Sequence, residues 1–515
     1  MKITAVITIV VIIGLGILIL KDKRLPKNTQ SISTPAYVKA IYSMPVSYDP
    51  IKMNDGASLI FSELVYDGLL RFTDDYGVRS SIAKSWSTSS DGLVLTFKID
   101  PAAKFHDGSQ ITAMDAKVSL TRNVSAESVV YKFYDVIKGA KDYFKGKTSS
   151  VEGLVVVDDL TLEIHLEKPF PPIQYVLAGG TAKILPAKKV NQKDFFKKPI
   201  GSGPFEIKHI GENEIYLSRF SGYHGTNPKL SEIILKNVNQ EDAIKMATMG
   251  LIHDLSSWPM NGTEKVFAYG KDESSIVADT WIIGLNTRFA PFDKLENRKL
   301  FQQSVDNEKF RLNFYPDAKP AFGYISPTFP GHQTKKRNIQ KLNKSIPKDL
   351  IKIYIPSELA RSKEMIAFFE SELKNKGWNI QVLPINWEQM MTGYNGKTLQ
   401  AFLVSMIVDY PDPEFLLNNF ESTNPDNFSG IHDAKIDKLI DQSRKTQDRV
   451  VRQKIQSELA DRVDELSLSV NLFHSRAHYW IHRCIDGFKP NLLAVAYTDY
   501  RHVSFNQECL KRMGQ

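Results

Sequence analysis

Two short stretches of the chain close with the Gly-Lys-Thr triplet that ends phosphate-cradling loops, Gly146-Lys147-Thr148 and Gly396-Lys397-Thr398. Such a loop also needs a first glycine at its head, where the backbone must approach the phosphate. Lys141 and Met391 stand there instead, so neither stretch reads as a nucleotide site. His474, His478 and His482 recur at every fourth residue, a spacing that could align three imidazoles on one helix face as metal ligands. The same spacing puts them on one face of a strand, and the flanking Asn471-Leu472-Phe473 and Tyr479-Trp480-Ile481 favour the strand. His106-Asp107 has the form of an acid–base dyad, yet Asp107-Gly108 is a strong turn signal and a structural role is expected. Neither a Gly-x-Ser-x-Gly elbow nor a His-Glu-x-x-His pair occurs. The expectation is a binding protein rather than an enzyme, with no catalytic residue, no metal and no cofactor.

Cys484 and Cys509 belong to no Cys-x-x-Cys pair, which argues against a thiolate zinc site and against a disulfide framework. In an oxidising compartment they could bridge each other, or both could stay free. The net charge of +8 is mild for 515 residues, and the basic residues are not clustered with aromatics, so no nucleic-acid partner is expected. A hydrophobic content of 42% with 24% charged residues is that of an ordinary globular chain, long enough for two or three packed units.

Ile3 to Leu20 is an uncharged apolar run followed by Lys21, Asp22, Lys23 and Arg24. As a helix it would span roughly 27 Å, close to the hydrocarbon core of a bilayer. Residues 1–20 are therefore expected to form a hydrophobic helix, either a signal anchor or a cleaved signal peptide. Residues 21–37, with Pro26, Ser31, Ser33 and Pro35, read as a tether. The basic residues after the run would, by the positive-inside rule alone, keep the body cytoplasmic; long domains override that rule, and export is expected.

The elements that follow are mixed. Leu93, Leu95, Phe97 and Ile99 alternate with Thr96 and Lys98, and Leu160, Leu162, Ile164 and Leu166 alternate with Thr161, Glu163 and His165, so both stretches are half-buried strands. Ile233 to Leu235, Trp281 to Leu285 and Ile380 to Leu383 also read as strands. Helical spacing appears at Ser357 to Lys376, at Ile436, Leu439 and Ile440 after Asp433, and at Ile455, Leu459, Val463 and Leu466. Interspersed strands and helices imply α/β lobes.

A series of motifs then occurs in order. Tyr66-Asp67-Gly68-Leu69-Leu70 follows Asp49-Pro50, and Ile82-Ala83 and Trp86 precede Asp91-Gly92-Leu93 and Thr96-Phe97. Phe105-His106-Asp107-Gly108 leads to Thr112-Ala113 and Asp115. Gly201, Gly203-Pro204-Phe205, Tyr223-His224-Gly225 and Pro228-Lys229-Leu230 come next, then Met249 to Leu255. Asn286-Thr287, Pro291-Phe292-Asp293, Arg298 and Asp306 follow, and Asp409-Tyr410-Pro411-Asp412-Pro413 with Asn427-Phe428-Ser429-Gly430 close the series. Together they resemble the family 5 solute-binding proteins, the oligopeptide- and dipeptide-binding group of importers, over about residues 38–505. One departure bears on the site: Ser405-Met406-Ile407-Val408 stands where the family often has Gly-Trp-x-Ala, so a flexible thioether replaces an aromatic wall.

The resemblance implies a type II periplasmic-binding-protein fold, two lobes around a hinge with an extra α+β domain inserted in the first. Lobe I would comprise 38–64, 187–278 and 489–515, the inserted domain 65–186, and lobe II 279–488. It implies a peptide or other small solute as ligand, and an ABC permease with its ATPase subunits as partner. A monomer outside the cytoplasm is expected, held to the inner membrane if residues 3–20 stay uncleaved. Asp409 matches the position that pairs with a ligand's α-ammonium in peptide-binding members. Trp387, Tyr410, Met406 and Tyr131 are candidate pocket walls, and Asp254 stands at a binding-loop position that could instead cap a hinge turn. Rival readings on the same fold are a non-peptide solute (a nickel chelate, haem or an oligosaccharide) and a membrane-anchored ligand sensor.

Overall fold

The computed structural model describes residues 35–513 apart from 75–76, 259, 261–264, 330, 335–343 and 409. The apolar run at 3–20 and the candidate ligand Asp409 thus lie outside the described residues. Among the described residues no helix is long and apolar enough to cross a membrane.

Alternation in the sequence becomes one-sided burial. Val94–Ile99 pairs antiparallel with Thr161–His165, Phe97 opposite Leu162, in a four-stranded sheet completed by Ala83–Thr88 and Leu154–Asp158. Leu95, Phe97, Ile99, Leu162 and Ile164 are buried on its inner face. The helix Ala113–Val124 packs against the Leu154–Asp158 and Thr161–His165 strands. It starts at a capping box, in which Thr112 and Asp115 satisfy each other's backbone donors.

The Phe105–Gly108 motif is a joint between this inserted sheet and its neighbour. His106 donates its backbone N–H to Gly201 O at 2.8 Å, and its ring Nε2 meets Gly203 O at 3.0 Å. Gly108 turns at φ +82°, and a Cβ on Gly201 would lie 1.9 Å from Val65 O, so only glycine permits that approach. Asp107 takes Lys189 as its partner instead of His106, at 2.6 Å. The structural expectation for His106-Asp107 holds, because each side chain is engaged by a different part of the chain.

The first large sheet runs Tyr37–Ile41, Glu232–Asn237, Glu214–Arg219, Phe205–Ile210. It is widened on the other side of Tyr37–Ile41 by Asp254, which bridges Lys39 in parallel and Ile481 in antiparallel register. Trp480–His482 then pairs with Gly270–Asp272. The second large sheet has six strands, ordered Lys319–Pro320, Ser469–His474, Asp279–Leu285, Ala401–Ile407, Ile351–Pro356, Ile380–Ile385. Both faces of this sheet are covered: Ile283, Leu285, Ile351 and Ile353 belong to one apolar cluster, Ile282, Phe402 and Met406 to another.

Two segments pass between the large sheets. The outward one runs from Gly270–Asp272 through Ser275–Ile276 to Asp279–Leu285, and the return from Ser469–His474 through Arg476–Ala477 to Trp480–His482. They pair with each other on the way, Ser275 opposite Ala477. A pair of short antiparallel crossings with a sheet at each end is the geometry of a hinge. His474 and His482 lie on strands, as the flanking apolar residues imply, with His478 between them.

One helix differs from its expected bounds. It spans Ser362–Asn375, not from Ser357, because Ser357 still donates to Ile385 O at 2.8 Å as an extension of its sheet. Arg361, at φ 62°, turns the chain into the helix. Cys484 and Cys509 are bonded, Cα atoms 5.5 Å apart, and tie the helix Gln507–Met513 to the strand Ile485–Asp486.

Candidate functional site

In the second large sheet the strands Ile351–Pro356, Ile380–Ile385 and Ala401–Ile407 are parallel, so all end on one edge. Asp279–Leu285 runs the other way and begins on that edge, opposite Ile407. Loops leaving the carboxyl ends of parallel strands are where open α/β sheets bind ligands. Here that edge is also the one from which both crossings depart, so it faces the first sheet across the hinge.

Asp279 fastens this edge. Its buried carboxylate accepts from Ser475 N at 2.8 Å, from Ser475 Oγ at 2.6 Å and from Ser405 Oγ at 3.0 Å. One side chain therefore joins the outward crossing, the return crossing and the strand that leads to residues 406–410. Burial raises its pKa, outweighing the hydrogen bonds from Ser475 and Ser405 that act the other way.

Beyond Ile407 the chain is anchored by Asp412. This buried carboxylate pairs with Arg452, accepts from Gln456 Nε2 at 2.7 Å and caps Glu414 N at 2.9 Å. Arg444 pairs with Glu414 at 2.7 Å and Glu421 at 2.8 Å a little further on. In the Asp-Tyr-Pro-Asp-Pro run, the second aspartate thus holds the segment's shape.

Tyr410 then meets the opposite side of the cleft. Its ring lies edge-on to Phe133, centroids 6.3 Å apart, and edge-on to Phe415 at 5.1 Å. A cavity of about 410 Å³ opens beside it, walled by Met53, Asn54 and Leu59, by Val129, Val130 and Phe133, by Tyr175, Val176 and Gly179 to Thr181, and by Tyr497. Tyr410 follows the strand Ala401–Ile407 of the second large sheet, whereas Met53 belongs to the apolar cluster of the first large sheet. The cavity is therefore an interlobe space of the size that small-molecule sites use, roughly 300–1,000 Å³.

The other candidates are spread over several places. Met406 is buried opposite Thr280 in the sheet, within the apolar cluster that also contains Tyr410. Tyr131 stacks on Phe144 at 3.8 Å, next in sequence to the cavity residues Val130 and Phe133 but not itself a wall. Trp387 starts the helix Trp387–Asn395 on the same sheet edge and is 53% exposed, its backbone N–H donating to Glu358 at 2.9 Å.

Asp254 is fully buried beside the first large sheet, where it bridges Lys39. Its oxygens are 3.2 Å from Lys39 Nζ and accept the hydroxyls of Tyr37 at 2.9 Å and Tyr500 at 2.8 Å and the N–H of Ser256 at 2.7 Å. Burial alone would raise its pKa, and Lys39, Ser256 and Tyr500 together outweigh that and lower it.

Sequence reading missed Phe133, Tyr175 and Tyr497, which face Tyr410 from far along the chain. A Gly179-Gly180 pair shortly after Tyr175 is a turn signal that could have pointed to that wall.

Two lobes, paired crossings and a cavity between them define a two-lobed binding protein. The profile of bacterial extracellular solute-binding proteins, family 5 Middle, matches residues 77–428, and the chain belongs to that family. Among relatives, it is 25% identical over 379 residues to the glutathione-binding protein GsiB of Pectobacterium atrosepticum, covering 70% of this chain and 71% of that one. It is 23% identical to the periplasmic murein peptide-binding protein MppA of Escherichia coli, covering 81% and 83%. A solved structure of MppA in its unliganded open form superposes with a TM-score of 0.82 at 19% identity, over 92% of this chain and 98% of that one. This likeness establishes the two-lobed type II fold.

Proposed function

We propose that this protein captures short peptides outside the cytoplasm by closing its two lobes, and delivers them to an ABC permease with its ATPase subunits. The observation that carries this reading is the cavity with walls from both lobes, closed on one side by the meeting of Tyr410 and Phe133. A ligand that touches both lobes favours the closed arrangement by its differential affinity, and closure is what a permease can read. Names of relatives that bind murein peptide and glutathione support a peptide-like cargo.

Within this reading, Asp409 takes the ligand's α-ammonium, next in sequence to Tyr410 on the cavity wall. A charge-assisted bond of this kind is worth roughly 1.5–3 kcal/mol. Trp387, Met406 and Tyr131 support the binding edge from its margins. The lobe divisions inferred from sequence belong to the same proposal, as do a monomeric state and residues 1–20 as export signal or inner-membrane anchor.

Calorimetry with short peptides against wild type and Asp409→Ala tests the assignment. The variant is expected to lose about ten- to hundredfold in affinity, and N-acetylation of the peptide should cost wild type a similar amount while leaving the variant unaffected. A wild type that ignores every peptide would remove the peptide reading.

A further inference from the structure

On the return crossing of the hinge, His478 has a carboxylate at each ring nitrogen. Nδ1 lies 2.7 Å from Asp272 and Nε2 lies 3.9 Å from Asp317. A carboxylate only accepts, so Nδ1 donates its proton to Asp272, and the neutral ring presents a bare lone pair at Nε2. That nitrogen is buried and makes no hydrogen bond among the described residues. The two carboxylates move with different sheets. Asp272 ends the strand Gly270–Asp272 beside the first large sheet, and the His478 carbonyl accepts the Met260 N–H at 2.8 Å on the same side. Asp317 stands just before the strand Lys319–Pro320 of the second large sheet. Arg311 holds its turn by the carbonyls of Pro316 and Ala318, each at 2.9 Å. The other charged groups along these segments are Glu273, the exposed Lys319, Lys271, which is taken by Asp486 at 2.8 Å, and Arg476, which donates to Ser274 at 3.1 Å.

We propose that His478 is a proton switch in the hinge: a proton on Nε2 ties Asp317 to the side of the first sheet and so favours the arrangement described above. While Nε2 is bare, its lone pair faces the Asp317 carboxylate and the two repel. Protonation makes Nε2 a charged donor, and the 3.9 Å gap can close to the roughly 2.8 Å of a charge-assisted bond. The imidazolium then bridges a carboxylate from each side of the hinge. By linkage, the proton binds more tightly in the arrangement that keeps Asp317 near, so its uptake favours that arrangement. Histidine side chains take up this proton between about pH 5 and 8. Asp317 is 54% exposed, so water screens the pair and the bias is small, about two- to fivefold in the ratio of hinge arrangements. Acid therefore changes how much of a ligand's differential affinity is taken up in moving the hinge, whatever the cleft binds.

Pulsed electron paramagnetic resonance on the full chain without ligand reads the hinge directly. Nitroxides attached through Glu241→Cys and Lys374→Cys sit at exposed positions of the helices Gln240–Thr248 and Ser362–Asn375, one beside each large sheet. Cys484 and Cys509 are bonded to each other and take no label. Lowering the pH from about 8 to about 5.5 should raise the ratio of the present arrangement to the others about two- to fivefold. Asp317→Asn and His478→Gln should each remove that response. In the Asp317→Asn protein the His478 ring, followed by NMR, should also titrate at lower pH, because its imidazolium has lost a partner. A merely structural Asp317 would leave that titration in place. Glu273, whose carboxyl is pushed up by burial, is the other group here that could answer to pH, and its response would survive in His478→Gln. A wild type with the same distances at both pH values, a response that outlasts either substitution, or an unmoved His478 titration overturns the proposal.

Discussion

At the scale of single residues, the most demanding arrangement in the molecule is the Lys39–Asp254 pair, both side chains fully buried. Two buried ions persist because every remaining donor and acceptor is engaged: Lys39 also donates to Ser256 Oγ at 2.6 Å, and two tyrosine hydroxyls complete the carboxylate. Burial lowers the Lys39 pKa while Asp254 opposes that shift. Taking away one ion leaves the other uncompensated in a dry interior. Lys39→Met is therefore expected to cost about 3–5 kcal/mol of stability, measured by urea unfolding. The double variant Lys39→Met with Asp254→Leu should cost clearly less than the sum of the two single changes. Asp409 and Asp254 look alike in sequence, each an acidic residue near the end of a strand-like segment. The partners that immobilise Asp254 come from residues 37, 39 and 500, which no local pattern connects.

At the scale of elements, the hinge and its surroundings are held by short connections between distant strands. Asp279 clamps the two crossings and the strand that leads to Tyr410, so hinge and binding edge share one hydrogen-bonded node. Close by, the Cys484–Cys509 bond closes a loop of sequence separation 25 and pins the terminal helix Gln507–Met513. Restricting the unfolded chain in this way is worth about 3 kcal/mol. Cys509→Ser should lower the thermal midpoint, and dithiothreitol should lower the wild type to the same level without changing the variant; equal melting of all four samples would show the bond to be energetically idle. The strands at 94–99 and 161–165 were legible from alternation because each has one wet and one dry face. The start of the helix at Ser362 was not, since the segment after Pro356 has helical composition and is kept extended by a hydrogen bond to a neighbouring strand.

At the scale of the whole molecule, two buried imidazoles link stability to pH. Burial pushes His253 down to about 4, with His482 adding repulsion, and burial likewise pushes His474 down to about 4. Both stay neutral in the folded protein at a pH where the unfolded chain, with its ordinary value of 6.5, has begun to take up protons. The unfolded state then binds more protons, so stability is full above pH 6.5 and declines as the pH falls toward 4. Each histidine contributes up to about 3 kcal/mol to that decline. Asp279, raised by burial, acts in the opposite sense by keeping its proton to higher pH when folded. Urea midpoints measured at pH 7, 5.5 and 4 should fall in that order, and His474→Gln should flatten the slope. A wild-type midpoint that does not change over this range would contradict the assignment of neutral buried rings.

By itself, the sequence determined the α/β class through its strand and helix periodicities, and the order of its motifs carried the resemblance to family 5, which in turn implied two lobes with an inserted domain. The motifs and periodicities themselves are local: an Asp-Gly turn and an alternation of period two are each decided within a few neighbouring residues. Only the tertiary structure decided which residues wall the cavity, that Asp254 is a core ion and that Cys484 meets Cys509. These depend on which side chains far apart in sequence are brought within a few ångströms of each other. Tyr410, Phe133, Tyr175 and Tyr497 share one space because sheets, hinge and inserted domain place them there, and each of those placements is a sum of many long-range contacts that no single stretch of sequence records.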